Sequence, residues 1–141
     1  MILLVEDNEL IQDLVMEVCR SVGLAVYCAP RCRVALNALR HYRDIRMIIM
    51  DYRLAGPNSG IACASMIRTQ FPEPICNIPI VGLTGGLYPG IDPELMPVAR
   101  INEQLDKPFR VDELIAIIDR YVPPETRVSY DPEPPMEGQS K

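Results

Sequence analysis

The sequence predicts a one-domain α/β protein, built around a mostly parallel β-sheet that carries helices on both faces. Short apolar runs of strand length recur along the chain, and the segments between them place apolar residues at helical spacing. Strands that alternate with helices form βα units, whose sheet is covered on both sides. At 141 residues, the chain has the length of one domain with a sizeable core.

Four apolar runs are predicted to be strands, because each is too short for a buried helix. They are Ile2–Val5, Leu24–Cys28, Met47–Met50 and Ile78–Leu83. A fifth strand, around Gln104 and Leu105, is unusually polar, which predicts a position at the edge of the sheet.

Helical spacing of apolar residues predicts four regular helices, in the stretches 11–22, 34–42, 61–71 and 111–121. Asp7 or Asn8 is expected to cap the first helix, and Gly23 to end it. A further helix is expected to begin at Asp92-Pro93, but Pro97 falls where an intrahelical N–H is needed. That helix should therefore be short, irregular or shifted.

The last part of the chain has a different composition. Residues 123–141 are rich in proline and hold few apolar side chains, so they cannot bury enough surface to order themselves. We therefore predict a single domain over residues 1–122 and a disordered tail over 123–141.

Charge and cysteine content exclude several classes of protein. A net charge of -5 argues against a nucleic-acid-binding surface, and the apolar run that ends at Val5 is too short to enter a membrane. Arginines cluster in a helical stretch, where they indicate a solvated face: Arg31, Arg33, Arg40, Arg43 and Arg46. The five cysteines include no C-x-x-C pair and the only histidine is His41, so zinc and disulfides are not expected. Reduced, buried thiols in a cytoplasmic protein are the prediction.

Polar side chains follow four of the predicted strands. Glu6 and Asp7 follow the first, Asp51 the third, Thr84 the fourth and Lys107 the fifth. The carboxyl ends of parallel strands form the crevice where such sheets bind ligands, so these side chains should converge. Three carboxylates in a small space repel one another unless a hard cation such as Mg²⁺ neutralises them. A lysine and a hydroxyl beside them suit a phosphoryl group.

Each of these signals has an ordinary structural explanation when taken alone. An acidic pair is usually a solvated loop, an aspartate can cap a helix, and Thr-Gly and Lys-Pro pairs usually lie in turns. Their occurrence in order at successive strand ends is what points to function. In addition, 12 of the 14 basic residues are arginines, and the other lysine is Lys141 at the chain end.

These motifs resemble those of the response-regulator receiver family, over residues 1–122. The matching runs are ILLVEDNE at Ile2–Glu9, IIMDYRL at Ile48–Leu54, IVGLTG at Ile80–Gly85 and LDKPF at Leu105–Phe109. The resemblance implies two-component signalling by a (βα)5 doubly wound, flavodoxin-like sheet with strand order 2-1-3-4-5.

The resemblance also implies a role for each polar residue. Asp51 would accept a phosphoryl group from a sensor histidine kinase or a histidine phosphotransfer protein. Asp7, Asp51 and the backbone carbonyl of Arg53 would bind Mg²⁺ (or Mn²⁺), with Glu6 acting through a water molecule. Thr84 and Lys107 would bind oxygens of the aspartyl phosphate, and the Lys107-Pro108 peptide bond would be cis.

Two departures from the family pattern affect the expected output. Ala55 stands where the family usually has proline, and Pro57 is displaced, so the loop after Asp51 holds an extra residue. Gln104 replaces the tyrosine or phenylalanine of the family's rotamer switch. The glycine-rich segment Gly85–Gly90 is expected to reshape instead.

The functional expectation is a free-standing, cytoplasmic phosphoacceptor domain that catalyses only its own phosphorylation and dephosphorylation. It would signal to an unknown downstream protein through the face formed by the fourth helix, fifth strand and fifth helix, with homodimer formation left open. Two alternatives remain at this stage: an interaction module that works without phosphorylation, and a metal-dependent aspartyl-phosphate phosphohydrolase. The second is disfavoured because those enzymes carry a further carboxylate where this chain has Arg53.

Overall fold

The computed structural model describes residues 1–85 and 93–127, in which five parallel strands form one sheet. The strands are β1 (Ile2–Val5), β2 (Val26–Ala29), β3 (Met47–Asp51), β4 (Ile80–Thr84) and β5 (Glu103–Asp106). Their order across the sheet is β2-β1-β3-β4-β5, and every neighbouring pair is parallel. The predicted flavodoxin-like fold class and strand order are confirmed.

Helices cover both faces of this sheet. They are α1 (Glu9–Ser21), α2 (Cys32–His41), α3 (Gly60–Gln70), α4 (Leu95–Ala99) and α5 (Val111–Tyr121). Alternate strand residues point to opposite faces. Ile49 and Leu83 therefore share an apolar cluster with Leu114 of α5, whereas Met50 shares one with Ile67 of α3. Burial on both faces explains why the central strands read as unbroken apolar runs.

Two strands begin later than predicted, for local reasons. Pro79 has no N–H to donate to a strand ladder, and β4 begins at the next residue, Ile80. The N–H of Leu24 donates to the Cys19 carbonyl (2.9 Å), so Leu24 belongs to the end of α1 and β2 begins after it, at Val26.

At the start of α1, Asn8 rather than Asp7 is the capping residue, because its Oδ1 accepts from the N–H groups of Leu10 and Ile11.

The region around Pro97 is irregular, as predicted. Helix α4 has only five residues, includes Pro97, and is followed by Arg100 in the left-handed conformation (φ 45°). Strand β5 lies at the edge of the sheet, also as predicted. The predicted helix start at Asp92 and the loop 86–90 lie outside the described residues.

The chain beyond the predicted domain boundary begins with an ordered segment. Pro124–Thr126 form a 3-10 turn, and Arg46 donates to the carbonyl and hydroxyl oxygens of Thr126. The Arg127 guanidinium donates to the Val22 carbonyl (3.1 Å) and to Asp119. The predicted tail therefore does not start at Pro123, while residues 128–141 lie outside the described residues.

The expectation that all cysteines are reduced is wrong for one pair. Cys32 at the start of α2 and Cys63 in α3 form a disulfide, with Cα atoms 5.6 Å apart. Cysteine spacing could not reveal this pairing, because it arises only when the two helices pack side by side. Cys19, Cys28 and Cys76 are free thiols. Within residues 1–85 and 93–127, no helix is long and apolar enough to cross a membrane.

Candidate functional site

The five predicted site residues meet at the carboxyl-terminal ends of the strands. Asp51 and Thr84 end β3 and β4, Glu6 and Asp7 follow β1, and Lys107 follows β5. Because the strands are parallel, all their carboxyl ends lie on the same side of the molecule. Thus Glu6 and Lys107, separated by 101 positions in the chain, are in direct contact.

Three carboxylates form the acidic part of the site. Glu6, Asp7 and Asp51 each offer an oxygen, and these oxygens lie within 4.8 Å of one another. Glu6 is fully buried and Asp51 is 4% exposed, so water does little to screen their repulsion. Burial and the neighbouring Asp51 raise the pKa of Glu6 to about 7.

Lys107 supplies the positive charge of the site. Its Nζ lies 2.8 Å from Glu6 Oε1 and 3.2 Å from Asp51 Oδ2. Burial acts to lower the pKa of Lys107, but these two carboxylates outweigh it and raise the pKa above its usual value. One ammonium facing three carboxylates leaves an excess of negative charge. Oxygen donors in such a cluster are the ligands that Mg²⁺ prefers, so the residues fit a divalent cation.

Backbone groups hold the carboxylates in place. The N–H of Arg53 donates to Asp51 Oδ1 (3.1 Å), and the N–H of Ala55 donates to Asp7 Oδ2 (3.2 Å). The N–H of Asn8 donates to Glu6 Oε2 (3.2 Å). The loop after β3 therefore contacts both aspartates, even though it carries an extra residue.

A small pocket opens beside Asp51. It has a volume of about 120 Å³ and is lined by Asp51, Tyr52, Arg53, Leu83, Thr84, Gly85 and Lys107. The pocket brings together the predicted phosphoacceptor, the hydroxyl of Thr84 and the ammonium of Lys107. The Lys107-Pro108 peptide bond is cis, as predicted.

Sequence reasoning missed the reason for Gly60. A Cβ atom on Gly60 would lie 2.0 Å from the carbonyl oxygen of Asp51, and the Gly60 N–H donates to the Tyr52 carbonyl (2.9 Å). Helix α3 thus begins against the backbone of Asp51 and Tyr52. The signal was a glycine directly after Ser59, whose hydroxyl caps the helix.

Tyr52 was also missed. Its side chain is 2% exposed and lies over Gly82 of β4, where an added Cβ would be 2.2 Å from Tyr52 Cε1. Gly82 pairs in register with Gln104 of β5. Burial raises the pKa of Tyr52.

An apolar groove adjoins the pocket on the side of α1. It has a volume of about 350 Å³ and is lined by Ile11, Leu14, Gly85, Lys107, Pro108 and Phe109. Leu10, at the same end of α1, is 80% exposed. Gly85 and Lys107 line both cavities, so the groove is continuous with the site.

Comparison with known proteins identifies relatives of the same architecture. The receiver domain of the sensor histidine kinase PA1611 from Pseudomonas aeruginosa, solved with a magnesium ion coordinated in its active-site cleft, is 33% identical. The match has a TM-score of 0.73 and covers 85% of this chain and 94% of that one. The receiver domain of NtrX from Brucella abortus is 28% identical, with a TM-score of 0.70 and coverage of 86% and 98%.

The chemotaxis protein CheY4 of Vibrio cholerae shares the fold at 24% identity, with a TM-score of 0.73 and coverage of 86% and 97%. A search of curated protein sequences found no match. The family model of the response regulator receiver domain matches residues 2–119. Because that match spans most of the chain and its sheet has the same architecture as these receiver domains, this protein belongs to the response regulator receiver family.

Proposed function

We propose that this protein is a phosphoacceptor of two-component signalling, in which Asp51 takes a phosphoryl group from a phosphohistidine. The observation that carries the proposal is the position of Asp51: its carboxylate contacts Lys107 and lines a pocket beside Thr84, within the cluster that includes Glu6 and Asp7. A nucleophile, a cation site and two groups for phosphoryl oxygens are thus adjacent.

The reaction needs little covalent help from the protein. An oxygen of Asp51 attacks the phosphorus, the P–N bond to the donor imidazole breaks, and its electron pair returns to the ring nitrogen. The product is an acyl phosphate on Asp51. Since phosphoryl transfer is mostly positioning and electrostatics, the hydrogen bond from the Arg53 N–H that orients Asp51 supports this role.

The cation would be held by Asp7, Asp51 and the backbone carbonyl of Arg53, with Glu6 acting through water. Mg²⁺ or Mn²⁺, when bound, supplies charge stabilisation of several kcal/mol at a transferring phosphoryl group. Lys107 then exchanges its carboxylate contacts for a phosphoryl oxygen. The Thr84 hydroxyl, which lines the same pocket, donates to another.

The groove beside the pocket supports a protein as the phosphoryl donor. Exposed apolar side chains in a continuous patch mark surfaces that partners cover. The groove with Leu14, together with Leu10, borders the site that a histidine must enter. A sensor histidine kinase or a histidine phosphotransfer protein fits this requirement.

Output would pass through the face of α4, β5 and α5. Val98 of α4 and Val111 of α5 are 40% and 44% exposed, which leaves apolar contacts available to a downstream protein. The expectations that this domain acts as a free-standing protein in the cytoplasm, and that it pairs with itself, stay predictions.

The test is mass spectrometry after exposure to acetyl phosphate with and without Mg²⁺. We expect one added phosphoryl group on Asp51, dependent on the metal and lost in Asp51→Asn. Asp13→Asn, on the exposed side of α1, is the matched control and should be phosphorylated normally. No modification would favour the interaction module that works without phosphorylation. Catalytic turnover of the donor without a stable adduct would favour the phosphohydrolase.

A further inference from the structure

The disulfide joins the starts of two neighbouring helices. It links Cys32, the first residue of α2, to Cys63 in the first turn of α3, 31 positions later in the chain. Strand β3 lies between these two helices in the sequence, so the bond ties together the elements that precede and follow it. A domain of this size does not need a cross-link to complete its core. The position of the bond is therefore its informative feature.

Cys63 belongs to the turn that ends the loop after β3. Its N–H donates to the Ser59 carbonyl (2.9 Å), and Gly60 packs against the backbone of Asp51. The loop between Asp51 and Ser59 is thus held by β3 at one end. At its other end it is held by the turn that the disulfide fixes to α2.

This loop orients two carboxylates of the candidate cation site. The N–H of Arg53 donates to Asp51 Oδ1 (3.1 Å), and the N–H of Ala55 donates to Asp7 Oδ2 (3.2 Å). Loss of hydrogen bonds that orient metal ligands typically lowers metal affinity about 10- to 100-fold. A constraint on the loop therefore acts on the affinity for Mg²⁺.

Cys32 connects the same bond to the other side of the site. It follows β2 by three residues, and the carbonyl of Ala29, at the end of β2, accepts from the N–H of Glu6 (3.0 Å). Strand β1, which Glu6 follows, lies between β2 and β3 in the sheet. The disulfide thus connects the two elements that flank the acidic cluster.

The chemistry of this pair differs from that of other cysteines. Burial raises the pKa of Cys19 to about 12 and that of Cys28 to about 11, and a thiol that stays protonated exchanges slowly. Cys32 instead begins a helix of ten residues, whose positive end stabilises a thiolate. Arg31 and Arg33 lie on either side of it in the sequence and are exposed.

We propose that the Cys32–Cys63 pair is a redox control of the cation site: the bonded form fixes the loop after β3 and favours Mg²⁺ binding, and the reduced form releases it. The inference rests on the proposed function, because it needs a cation at Asp7 and Asp51. It adds a second input, the thiol–disulfide state, to the phosphoryl donor.

The bond forms by thiol–disulfide exchange with a low-molecular-weight disulfide. One cysteine loses its proton, its sulfur attacks the S–S bond of that molecule, and one half leaves as a thiolate. The second cysteine then loses its proton, attacks the mixed disulfide and displaces the other half. Two electrons and two protons pass to the small disulfide, which ends as two thiols. A small dithiol reverses the reaction.

The test is a Mg²⁺ titration of the wild-type protein after treatment with oxidised glutathione or with dithiothreitol. Backbone amide shifts of Asp7 and Asp51 report binding, and we expect the oxidised protein to need about tenfold less Mg²⁺ for half-saturation. Hydrogen exchange without metal gives a second readout. The N–H groups of Arg53 and Ala55 should exchange faster in the reduced protein.

Two substitutions separate this bond from other effects of the reagents. Cys63→Ala should show the Mg²⁺ requirement of the reduced wild-type protein under both conditions. Cys76→Ala, which removes a free thiol, is the matched control and should keep the difference between them. Should Cys63→Ala not fold, Cys32→Ala takes its place, and the comparison of the two wild-type forms needs neither.

The remaining outcomes overturn the inference in distinguishable ways. An equal Mg²⁺ requirement in the two forms, or a lower one in the reduced form, shows that the redox control is wrong while the proposed function stands. Loss of the fold on reduction, seen by circular dichroism, would show that the bond is only structural. If neither form binds Mg²⁺ or accepts a phosphoryl group from acetyl phosphate, the proposed function fails as well.

Discussion

Arg68 is expected to be the polar side chain on which the stability of the region around α4 and β5 most depends. It lies in α3, is 8% exposed, and its guanidinium donates five hydrogen bonds. Their acceptors are the carbonyls of Cys76, Ile78, Ala99 and Arg100 and the Oδ1 of Asn102, at distances of 2.7 to 3.1 Å. These acceptors belong to the end of α4 and to the segments that lead into β4 and β5.

The perturbation is Arg68→Met, which keeps the apolar stem and removes the five donors. Hydrogen bonds from a charged group contribute roughly 1.5–3 kcal/mol each, but the cost of burying the guanidinium offsets much of that total. The substitution leaves neutral acceptors without their donor, at about 1–3 kcal/mol for each one that stays buried, so a net loss of about 3–5 kcal/mol is expected. Against a total stability of about 5–15 kcal/mol, this loss is large.

Urea denaturation followed by circular dichroism measures the change. With a slope of about 2 kcal/mol per molar urea, the midpoint should fall by roughly 1.5–2.5 M. Arg40→Met is the matched control: Arg40 is exposed and lies over the Phe71 ring at 5.1 Å, a contact of about 1 kcal/mol or less. If Arg68→Met and Arg40→Met shift the midpoint equally, the network does not have the stabilising role assigned to it.

Three other outcomes are expected. Asp7→Asn should raise the Mg²⁺ concentration needed for half-maximal phosphorylation at least roughly tenfold; an unchanged requirement would show that the assigned ligand set is wrong. Thiol titration of the unreduced protein in denaturant should find three free thiols, and five after reduction, since Cys32 and Cys63 are bonded; five before reduction would contradict that bond. Hydrogen exchange with beryllofluoride and Mg²⁺ should change protection chiefly across residues 85–100, with α2 as the unaffected reference; changes concentrated elsewhere would locate the response in another region.

The convergence of the polar site residues was predictable, because it follows from the positions of the strands in the sequence and from their parallel arrangement. Each functional side chain ends or follows a strand that its own apolar run identifies, and parallel strands bring those ends together. The contact between Glu6 and Lys107 therefore required no knowledge of side-chain packing. The short α4 was predictable for a similarly local reason, since Pro97 cannot donate the N–H that a regular helix needs.

Features that depend on packing across the sheet were not predictable in this way. Arg68 lies four residues after Ala64 on the buried side of α3, and a charged residue at such a position indicates buried polar partners. Gly82 interrupts an apolar strand, which often marks a close approach by another group. Neither residue type predicts what it contacts. The five acceptors of Arg68, and the Tyr52 ring that lies against Gly82, come from other parts of the chain.

Strand β5 is held differently at its two ends, which predicts how it would respond to the proposed phosphorylation. Just before its start, Asn102 accepts from Arg68 and from the Ile80 N–H (2.9 Å), at the end of the sheet opposite to Asp51. At its end, Lys107 contacts Glu6 and Asp51, and the proposed phosphorylation would change the charge at Asp51. Displacement should therefore increase along the strand from Asn102 to Lys107, with Gln104 between them. Backbone amide shifts induced by beryllofluoride should rise in that order, and uniform or reversed shifts would show that β5 does not pivot about its Arg68 contact.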